Sequence, residues 1–353
     1  MPVYKDEVRG TWYAMFYATD WQGVRHKYKK RGFKLRKDAQ EYEREFLTKK
    51  QKSCDMLFSS FVELYYEYAN GRDRVSTIAN KKALIEKHIL PYFKNRKMNE
   101  IIATDIHSWQ NVMMKNDFRP TYLRSLHSRL SAIFNHAVKF YDLPSNPCQK
   151  AGLIGSKKPE TIDFWTLEEY NTFIPAIADK PRSRVGIQIL YWAGLRVGEL
   201  LALTPADYLK DKMALRVNKT WQKIDGVEIV GPPKTAAGNR IVPIPKFLGK
   251  ELESYMNMLY ECPEDERIFY YTSNHFFAKE IARGSKATGI KKIRVHDLRH
   301  AHVSLLINLG YDFMLIAERI GHDDTKYIME TYGHLYPQKH AEVVQTLEKL
   351  DNT

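Results

Sequence analysis

The sequence is poor in cysteine, in long apolar runs and in acidic charge. Its only three cysteines, Cys54, Cys148 and Cys262, are far apart and lack metal-ligand spacing, so we expect reduced thiols of a cytoplasmic protein, not disulfides or a zinc site. Hydrophobic residues make up 44%, but no run approaches the roughly 20 apolar residues that cross a bilayer. The N-terminal stretch has no apolar signal core. We therefore expect a protein that neither spans a membrane nor is secreted.

Acidic residues are outnumbered, with 42 Asp and Glu against 55 Lys and Arg, which gives a net charge of +13. Residues 1–52 carry 14 basic and 7 acidic side chains, residues 53–155 carry 14 and 9, and residues 156–353 carry 27 and 26. The excess therefore lies in the first two segments. Such a surface suits a polyanion, because neutralised phosphates release counterions. Charge alone fits a role in solubility equally well.

Residues 1–52 predict a small α+β domain. Thr11–Thr19 and residues 24–30 have strand composition around turn residues 20–23, and a helical pattern of apolar residues follows. We expect a three-stranded sheet closed by one helix. One surface of it would carry a basic set that contacts DNA, although a solvated charged hairpin is the alternative: Arg25, His26, Lys27, Lys29 and Lys30.

Residues 53–155 predict an all-α domain. Apolar residues from Phe58 to Tyr68 form one helical stripe, and the last and longest of four predicted helices starts at Thr121 and ends before Pro144. Apolar positions should form the core, so function belongs to the polar faces. The candidate DNA contacts at the start of the last helix are Arg119, Tyr122, Arg124 and Arg129. Residues 148–163 lack periodicity and indicate an interdomain linker.

Residues 156–353 predict a mixed, mainly α domain with a small antiparallel sheet. Thr166 and Glu169 have the spacing of a capping box. Arg196 is predicted on a helix after a break at Gly194, in an apolar context where arginine needs an anionic partner. A structural pair with Glu199 and a bound phosphate are the two explanations. Lys234 is predicted in a turn between two strands, where a lysine is usually only solvated.

The stretch from residue 293 to 337 concentrates groups that handle phosphate. A helix from Asp297 to Leu309, with Leu298, Ala301, Leu305 and Leu309 facing inward, places His296 and Arg299 at its N-terminus, which favours anions. Gly321 should end the next helix beside His322. The last helix should carry Ile328, Met329 and Tyr332 on one face. A tyrosine in such a face is more often a core residue than a nucleophile.

The order of these groups carries a specific resemblance. Gly-Leu-Arg-x-Gly-Glu, a lysine in a β-turn, His-x-x-Arg, Gly-His and a tyrosine ten residues later resemble the tyrosine recombinase (phage integrase) family. Gly10, Trp12 and Phe16 resemble its arm-type DNA-binding domain, and the helical module resembles its core-binding domain. The resemblance implies an arm-type domain at 1–52, a core-binding domain at 53–155 and a catalytic domain at 156–353 with a C-terminal tail helix. It implies six catalytic residues: Arg196, Lys234, His296, Arg299, His322 and Tyr332.

The chemistry of these residue types agrees with the resemblance. Two guanidiniums can bind the non-bridging oxygens of a phosphodiester, and two imidazoles can donate further hydrogen bonds. Tyr332 would form a 3′-phosphotyrosyl intermediate, with His296 as the candidate base and Lys234 as the candidate acid. The covalent bond conserves energy, so we expect no ATP, metal or other cofactor. The sequence also lacks a P-loop and an acidic metal cluster.

The implied function is site-specific DNA recombination that integrates or excises a mobile element. The implied partners are double-stranded DNA at core-type and arm-type sites, three further copies of the chain in a tetramer on DNA, and an excisionase or a host DNA-bending protein. The implied location is the bacterial cytoplasm and nucleoid. Two alternatives stay open, a type IB topoisomerase and a non-catalytic DNA-binding regulator with the same fold. An apolar stripe from Val343 to Leu350 would fold onto its own domain or dock on a neighbouring protomer.

Overall fold

The computed structural model describes residues 3–19, 25–51, 54–157, 163–233 and 235–333. Contacts between residues divide the chain into two compact units, residues 1–160 and 161–353. The predicted further division of the first unit at residue 52 stays a prediction. No helix in the described ranges is long and apolar enough to cross a membrane.

The first unit begins with a three-stranded antiparallel sheet and one helix, as predicted. The strands are β1 (Val3–Asp6), β2 (Thr11–Thr19) and β3 (Arg25–Phe33), in the order β1-β2-β3, and the helix is α1 (Arg36–Gln51). Side chains alternate between the two faces of β2, so Ala14 and Phe16 are buried against Ala39 of α1. The opposite face of the sheet does not carry this core.

The remainder of the first unit is helical. Its core is rich in aromatic rings, and Phe58, Phe61, Phe93, Trp109 and Phe134 are fully buried in it. The helices are α2 (Phe58–Asn70), α3 (Val75–His88), α4 (Leu90–Phe93), α5 (Ala103–Met114), α6 (Pro120–Phe140) and α7 (Pro147–Ala151). The long helix α6 starts at Pro120, one residue before the predicted start, because the fixed φ of proline suits the first helical position.

The described part of the second unit, residues 163–233 and 235–333, is mainly helical and contains two small antiparallel sheets. Its helices are α8 (Leu167–Phe173), α9 (Pro181–Ala193), α10 (Val197–Ala202), α11 (Lys246–Asn257), α12 (Asn274–Thr288), α13 (Asp297–Asn308), α14 (Phe313–Ile320) and α15 (Thr325–Tyr332). Thr166 and Glu169 form the predicted capping box, with the Glu169 N–H donating to the Thr166 hydroxyl at 3.2 Å.

The single predicted sheet is two sheets. Strands β4 (Tyr208–Leu209), β5 (Ala214–Val217) and β8 (Arg240–Pro243) form one, in the order β4-β5-β8, and β6 (Thr220–Ile224) pairs with β7 (Val227–Gly231) in the other. Pairing of Val217 with Arg240 fixes the register at the start of β8.

Two predicted helix faces need correction. Leu298 and Ala301 of α13 are buried, but Leu309 is 63% exposed because the helix ends at Asn308 and Leu309 lies in the turn that follows. On α15, Ile328 and Tyr332 are buried, whereas Met329 is 54% exposed. Ile328 and Tyr332 are four positions apart and share a face, and Met329 lies about 100° around the helix from Ile328.

Candidate active site

Arg196 lies directly before α10 and not within it, which corrects the predicted placement. Its backbone is extended, its N–H donates to the Glu199 carboxylate at 2.9 Å, and its Nη1 donates to Glu199 Oε1 at 2.7 Å. The structural pair considered above therefore exists. The Arg196 side chain nevertheless stays 37% exposed, while that of Glu199 is 2% exposed. Arg196 can therefore keep this pair and still present N–H groups to another anion.

Arg299 is almost fully buried, although it carries a permanent charge. Its Nη1 donates to the Gly194 carbonyl at 2.7 Å and its Nη2 donates to the Ile320 carbonyl at 2.6 Å. Gly194 has φ +65°, and a Cβ there would lie 2.4 Å from the His302 ring. Only glycine fits this turn, which ends α9 and brings its carbonyl to Arg299.

Three arginines bond to successive carbonyl groups at the C-terminal end of α14. Arg240 Nε donates to Arg319 O at 2.8 Å, Arg299 Nη2 to Ile320 O, and Arg196 Nη2 to Gly321 O at 2.9 Å. These carbonyls lie at the negative end of the helix dipole, where cations are favoured. We call Arg196, Arg240 and Arg299 the arginine cluster. It brings the two arginines predicted to bind phosphate to one place.

Glu199 compensates part of the cluster's positive charge. Arg240 donates to it through Nη2 at 3.0 Å and through Nη1 at 3.3 Å, in addition to the bonds from Arg196. Burial alone would raise the pKa of Glu199, but the hydrogen bond and charge of Arg240, with the charge of Arg196, hold it below its usual value. The carboxylate is therefore ionised at neutral pH.

His296 stands at the start of α13, within the field of the same arginines. Burial, together with the charges of Arg299, Arg294 and Arg196, lowers the pKa of His296, and only Asp297 opposes this. The imidazole is therefore neutral at pH 7. Arg196, His296 and Arg299, which the sequence separates by about a hundred positions, thus lie within electrostatic range of one another.

Tyr332 is buried, with 3% of its surface exposed, and its hydroxyl contacts Nδ1 of His300. The His300 ring in turn lies 4.9 Å from the His296 ring, at an interplanar angle of 87°. Burial, followed by the charge of His296, lowers the pKa of His300 to about 4. The tyrosine therefore connects to His296 through a second, neutral histidine, which the sequence did not single out.

His322 follows the turn at Gly321. Its Nδ1 lies 3.0 Å from the Asp324 carbonyl oxygen, and the Asp324 side chain caps α15 by accepting the Lys326 N–H at 2.7 Å. Gly321 has φ +64°, and the N–H of His322 closes the helix end on Ala317 O. Lys234 lies outside the described residues. Among those described, no group of three or more His, Cys, Asp or Glu is arranged to hold a metal.

Comparison with known proteins identifies the family. Residues 163–339 match the phage integrase family, residues 57–114 match the phage integrase N-terminal SAM-like domain, and residues 2–50 match an arm DNA-binding domain. The ICEBs1 integrase of Bacillus subtilis is 31% identical over 333 residues, which cover 89% of this chain and 90% of that protein. The chain belongs to the phage integrase family. It is a tyrosine recombinase, as the residue order indicated.

Solved integrase structures share the fold of this tyrosine recombinase. The Tn1549 transposon integrase, solved with transposon right end DNA, matches with a TM-score of 0.70 at 17% identity, over 84% of this chain and 100% of that chain. A lambda integrase, solved as a tetramer bound to a Holliday junction, matches with a TM-score of 0.59 at 17% identity, over 92% and 97%. The predicted multidomain architecture is confirmed.

The basic residues of β3 in this integrase do not share one surface, contrary to prediction. Lys27 pairs with Tyr17 and Lys29 with Met15, whose side chains alternate with the core residues of β2. The Lys29 ammonium lies 4.8 Å from the Tyr13 ring centre, and the Arg25 guanidinium lies over Tyr17. Lys30 instead pairs with the buried Ala14, and its ammonium lies over Tyr42 of α1. The open face therefore combines Arg25, Lys27 and Lys29 with tyrosines.

The candidate DNA contacts of α6 differ in how much they are already engaged. Arg119 is exposed and precedes the helix, and Arg124 is half-buried. The Tyr122 hydroxyl bonds to His88 Nε2 at 2.9 Å, and its ring packs on Phe118. Arg129 is half-buried one turn further on, with a buried Nε. Tyr122 is thus part of the helical packing, and the DNA roles of all four stay predictions.

Sequence reasoning missed Arg240 and His300, and a usable signal existed for one of them. Arg240 begins the apolar run RIVPIP, the same unusual context that drew attention to Arg196. His300 had no such signal, because the chain contains 12 histidines and this one follows Arg299 in a helix that is buried almost all round.

Proposed function

We propose that this chain is the site-specific recombinase of a mobile element, and that it cleaves and rejoins DNA strands through a phosphotyrosyl intermediate on Tyr332. The observation that carries the assignment is the arginine cluster, in which Arg196 and Arg299 hold adjacent carbonyls directly before His322. Membership of the phage integrase family and the likeness to the ICEBs1 integrase support it.

The two arginines act on the phosphodiester. Negative charge grows on its non-bridging oxygens as the nucleophile attacks, and Arg196 and Arg299 present preorganised N–H groups that stay charged at any working pH. His296 and His322 donate further hydrogen bonds. Both arginines are fixed to backbone carbonyls, so they need little reorganisation when the phosphate arrives.

Tyr332 is the nucleophile. Its hydroxyl oxygen forms a bond to phosphorus while the bond from phosphorus to the 5′ oxygen breaks, and the 3′ phosphate stays on the enzyme. When Tyr332 leaves its contact with His300 Nδ1 to attack the phosphate, its phenolic proton passes to His296, which is neutral at pH 7, and Lys234 protonates the leaving 5′ oxygen. Attack by a 5′ hydroxyl on the phosphotyrosyl bond reverses the sequence and rejoins the strand. The covalent bond conserves the free energy, so the proposed cycle consumes no ATP.

The first unit supplies the DNA contacts in this proposal. The open sheet face with Arg25, Lys27 and Lys29 binds arm-type sites, and the start of α6 with Arg119 and Arg124 binds core-type sites. Strands can enter the major groove, and tyrosines beside basic side chains add apolar contact area. The match of residues 2–50 to an arm DNA-binding domain supports the first assignment.

Recombination requires two duplexes, so we propose that four copies act together on DNA in the bacterial cytoplasm, assisted by an excisionase or a host DNA-bending protein. The related lambda integrase has been solved as a tetramer on a Holliday junction. The predicted tail helix, with its stripe from Val343 to Leu350, lies outside the described residues, and its docking on a neighbouring protomer stays a prediction.

A nicked suicide substrate tests the central assignment. A short duplex with a nick just 3′ of the cleavage position loses its leaving fragment, so each attack leaves covalent protein–DNA that survives denaturing electrophoresis. Wild type should trap, Tyr332→Phe should not, and Tyr336→Phe should trap like wild type. If wild type fails to trap on its element's own ends, the enzyme assignment is wrong. If Tyr336→Phe alone abolishes trapping, the nucleophile is wrong. Relaxation of plasmids without any joined recombinant product would favour the topoisomerase.

A further inference from the structure

Arg240 is a buried charged residue at the first position of β8. Its side chain is 7% exposed, and it lies six positions after Lys234 in the sequence. Buried arginines are rare unless their N–H groups are satisfied. The hydrogen-bond acceptors of Arg240 therefore show which parts of the unit it holds together.

The Arg240 guanidinium joins three segments that approach the candidate site from different directions. Nε donates to Arg319 O at 2.8 Å, at the end of α14. Nη1 donates to Gly238 O at 3.1 Å, at the end of the turn that follows Lys234. Nη1 and Nη2 together donate to the two carboxylate oxygens of Glu199. Four of its five N–H groups are thus directed at protein acceptors.

These bonds fix the surroundings of Arg196 and His322. Glu199 is the carboxylate that holds the backbone and the guanidinium of Arg196. Gly321 lies against Arg240 so closely that a Cβ on it would be 2.7 Å from Arg240 Nη1. The position of the turn that leads to His322 therefore depends on where the Arg240 guanidinium sits.

Arg240 is not suited to bind the phosphate itself. It is buried, and four of its five N–H groups are already directed at protein acceptors, whereas Arg196 keeps 37% of its side chain exposed. Arg196 and His322, and not Arg240 itself, would contact the substrate.

We propose that Arg240 is a positioning residue for strand cleavage. Arg240 aligns Arg196 through Glu199, and it ties Gly238, four residues after Lys234, to the end of α14 before His322. This inference rests on the proposed function. Loss of Arg240 leaves the buried Glu199 with one guanidinium in place of two and releases two backbone carbonyls. The phosphate-binding groups then lose their common alignment, and a displacement of about 1 Å can lower a rate about 100-fold.

Arg240→Met and Arg240→Lys, assayed on the nicked suicide substrate, test the proposal. Single-turnover cleavage is measured at saturating DNA and normalised to the folded fraction, and DNA affinity is measured separately. Arg240→Met should cleave about 100-fold more slowly with unchanged affinity. Arg240→Lys keeps one charge for Glu199 but cannot reach all three segments, so it should recover part of the rate.

Arg267 offers a matched control in the same unit. Its Nη2 donates to Glu228 at 2.7 Å and its Nη1 to Leu201 O at 3.1 Å, so it also joins a carboxylate to a backbone carbonyl. Arg267→Met should lose stability but keep the cleavage rate of its folded fraction. If Arg240 had a structural role alone, Arg240→Met and Arg267→Met would change stability and the cleavage rate of the folded fraction to the same extent.

Glu199→Gln completes a double-mutant cycle with Arg240→Met. If Arg240 acts through Glu199, the double variant should cleave faster than the product of the two single effects predicts. The inference is overturned if folded Arg240→Met or Arg240→Lys cleaves at the wild-type rate, or if Arg267→Met is slowed equally. Failure of wild type to trap DNA would instead refute the proposed function.

Discussion

The contact between His300 and Tyr332 gives a prediction that requires no DNA. Both side chains are buried, and the Tyr332 hydroxyl meets His300 Nδ1. In His300→Leu the hydroxyl stays buried without this partner, which costs about 1–3 kcal/mol. For a unit of this size, each kcal/mol lowers Tm by about 2–4 °C. We therefore expect Tm to fall by about 2–12 °C.

Thermal unfolding of wild type, His300→Leu, Tyr332→Phe and the double variant measures the coupling. Removing both polar groups leaves nothing unpaired, so the double variant should be more stable than the sum of the single effects predicts, by about 1 kcal/mol. If the changes in the free energy of unfolding add to within about 0.5 kcal/mol, the contact with His300 does not determine the position of the Tyr332 side chain.

Three further predictions concern other parts of the chain. The free energy of unfolding should fall as pH drops from about 6.5, because burial lowers the folded-state pKa of His300 to about 4 and that of His302 to about 3. The unfolded chain therefore binds these protons at higher pH than the folded chain does. Denaturant titrations at a series of pH values measure the resulting change in the free energy of unfolding. Gly321→Ala should slow cleavage and lower stability by roughly 1–3 kcal/mol, since its φ is +64° and its Cβ would meet Arg240 and Ala237 O. Lys29→Ala should weaken arm-site binding and reduce the salt slope by about 1.

Each of these predictions has a control in the chain. His300→Gln should reduce the slope of the stability profile between about pH 4 and 6.5, where His302 keeps its own contribution, and an unchanged profile would contradict the assigned pKa. Gly289 has φ +74° with open space around it, so Gly289→Ala should show the backbone cost alone, with normal cleavage. Lys30→Ala, on the helix side of the sheet, should change arm-site binding less than Lys29→Ala. Equal effects of the two lysine variants would contradict the assigned open face.

Local signals explain how much of the fold and site could be predicted. The capping box at Thr166, the breaks at Gly194 and Gly321 and the Arg196–Glu199 spacing act within four residues, so the sequence displays them directly. Arg240 bonds to Glu199, 41 positions away, and to Arg319, 79 positions away. Such pairings depend on how strands and helices pack, which no local pattern encodes. The exposure of Met329 and Leu309 also depends on where each helix meets its neighbours.

Three guanidiniums bond to one end of α14, so the contacts that hold the arginine cluster differ from the contact that holds Tyr332. Arg196 and Arg299, the two arginines proposed to bind phosphate, are held at the adjacent carbonyls Gly321 O and Ile320 O of this helix end. Tyr332 belongs to the next helix, α15, and its hydroxyl contacts His300 of α13, so its position depends on a different contact from those that hold the arginines. If Tyr332 is the nucleophile, as proposed, substitutions in the arginine cluster and substitutions of His300 should affect phosphate binding and nucleophilic attack to different extents.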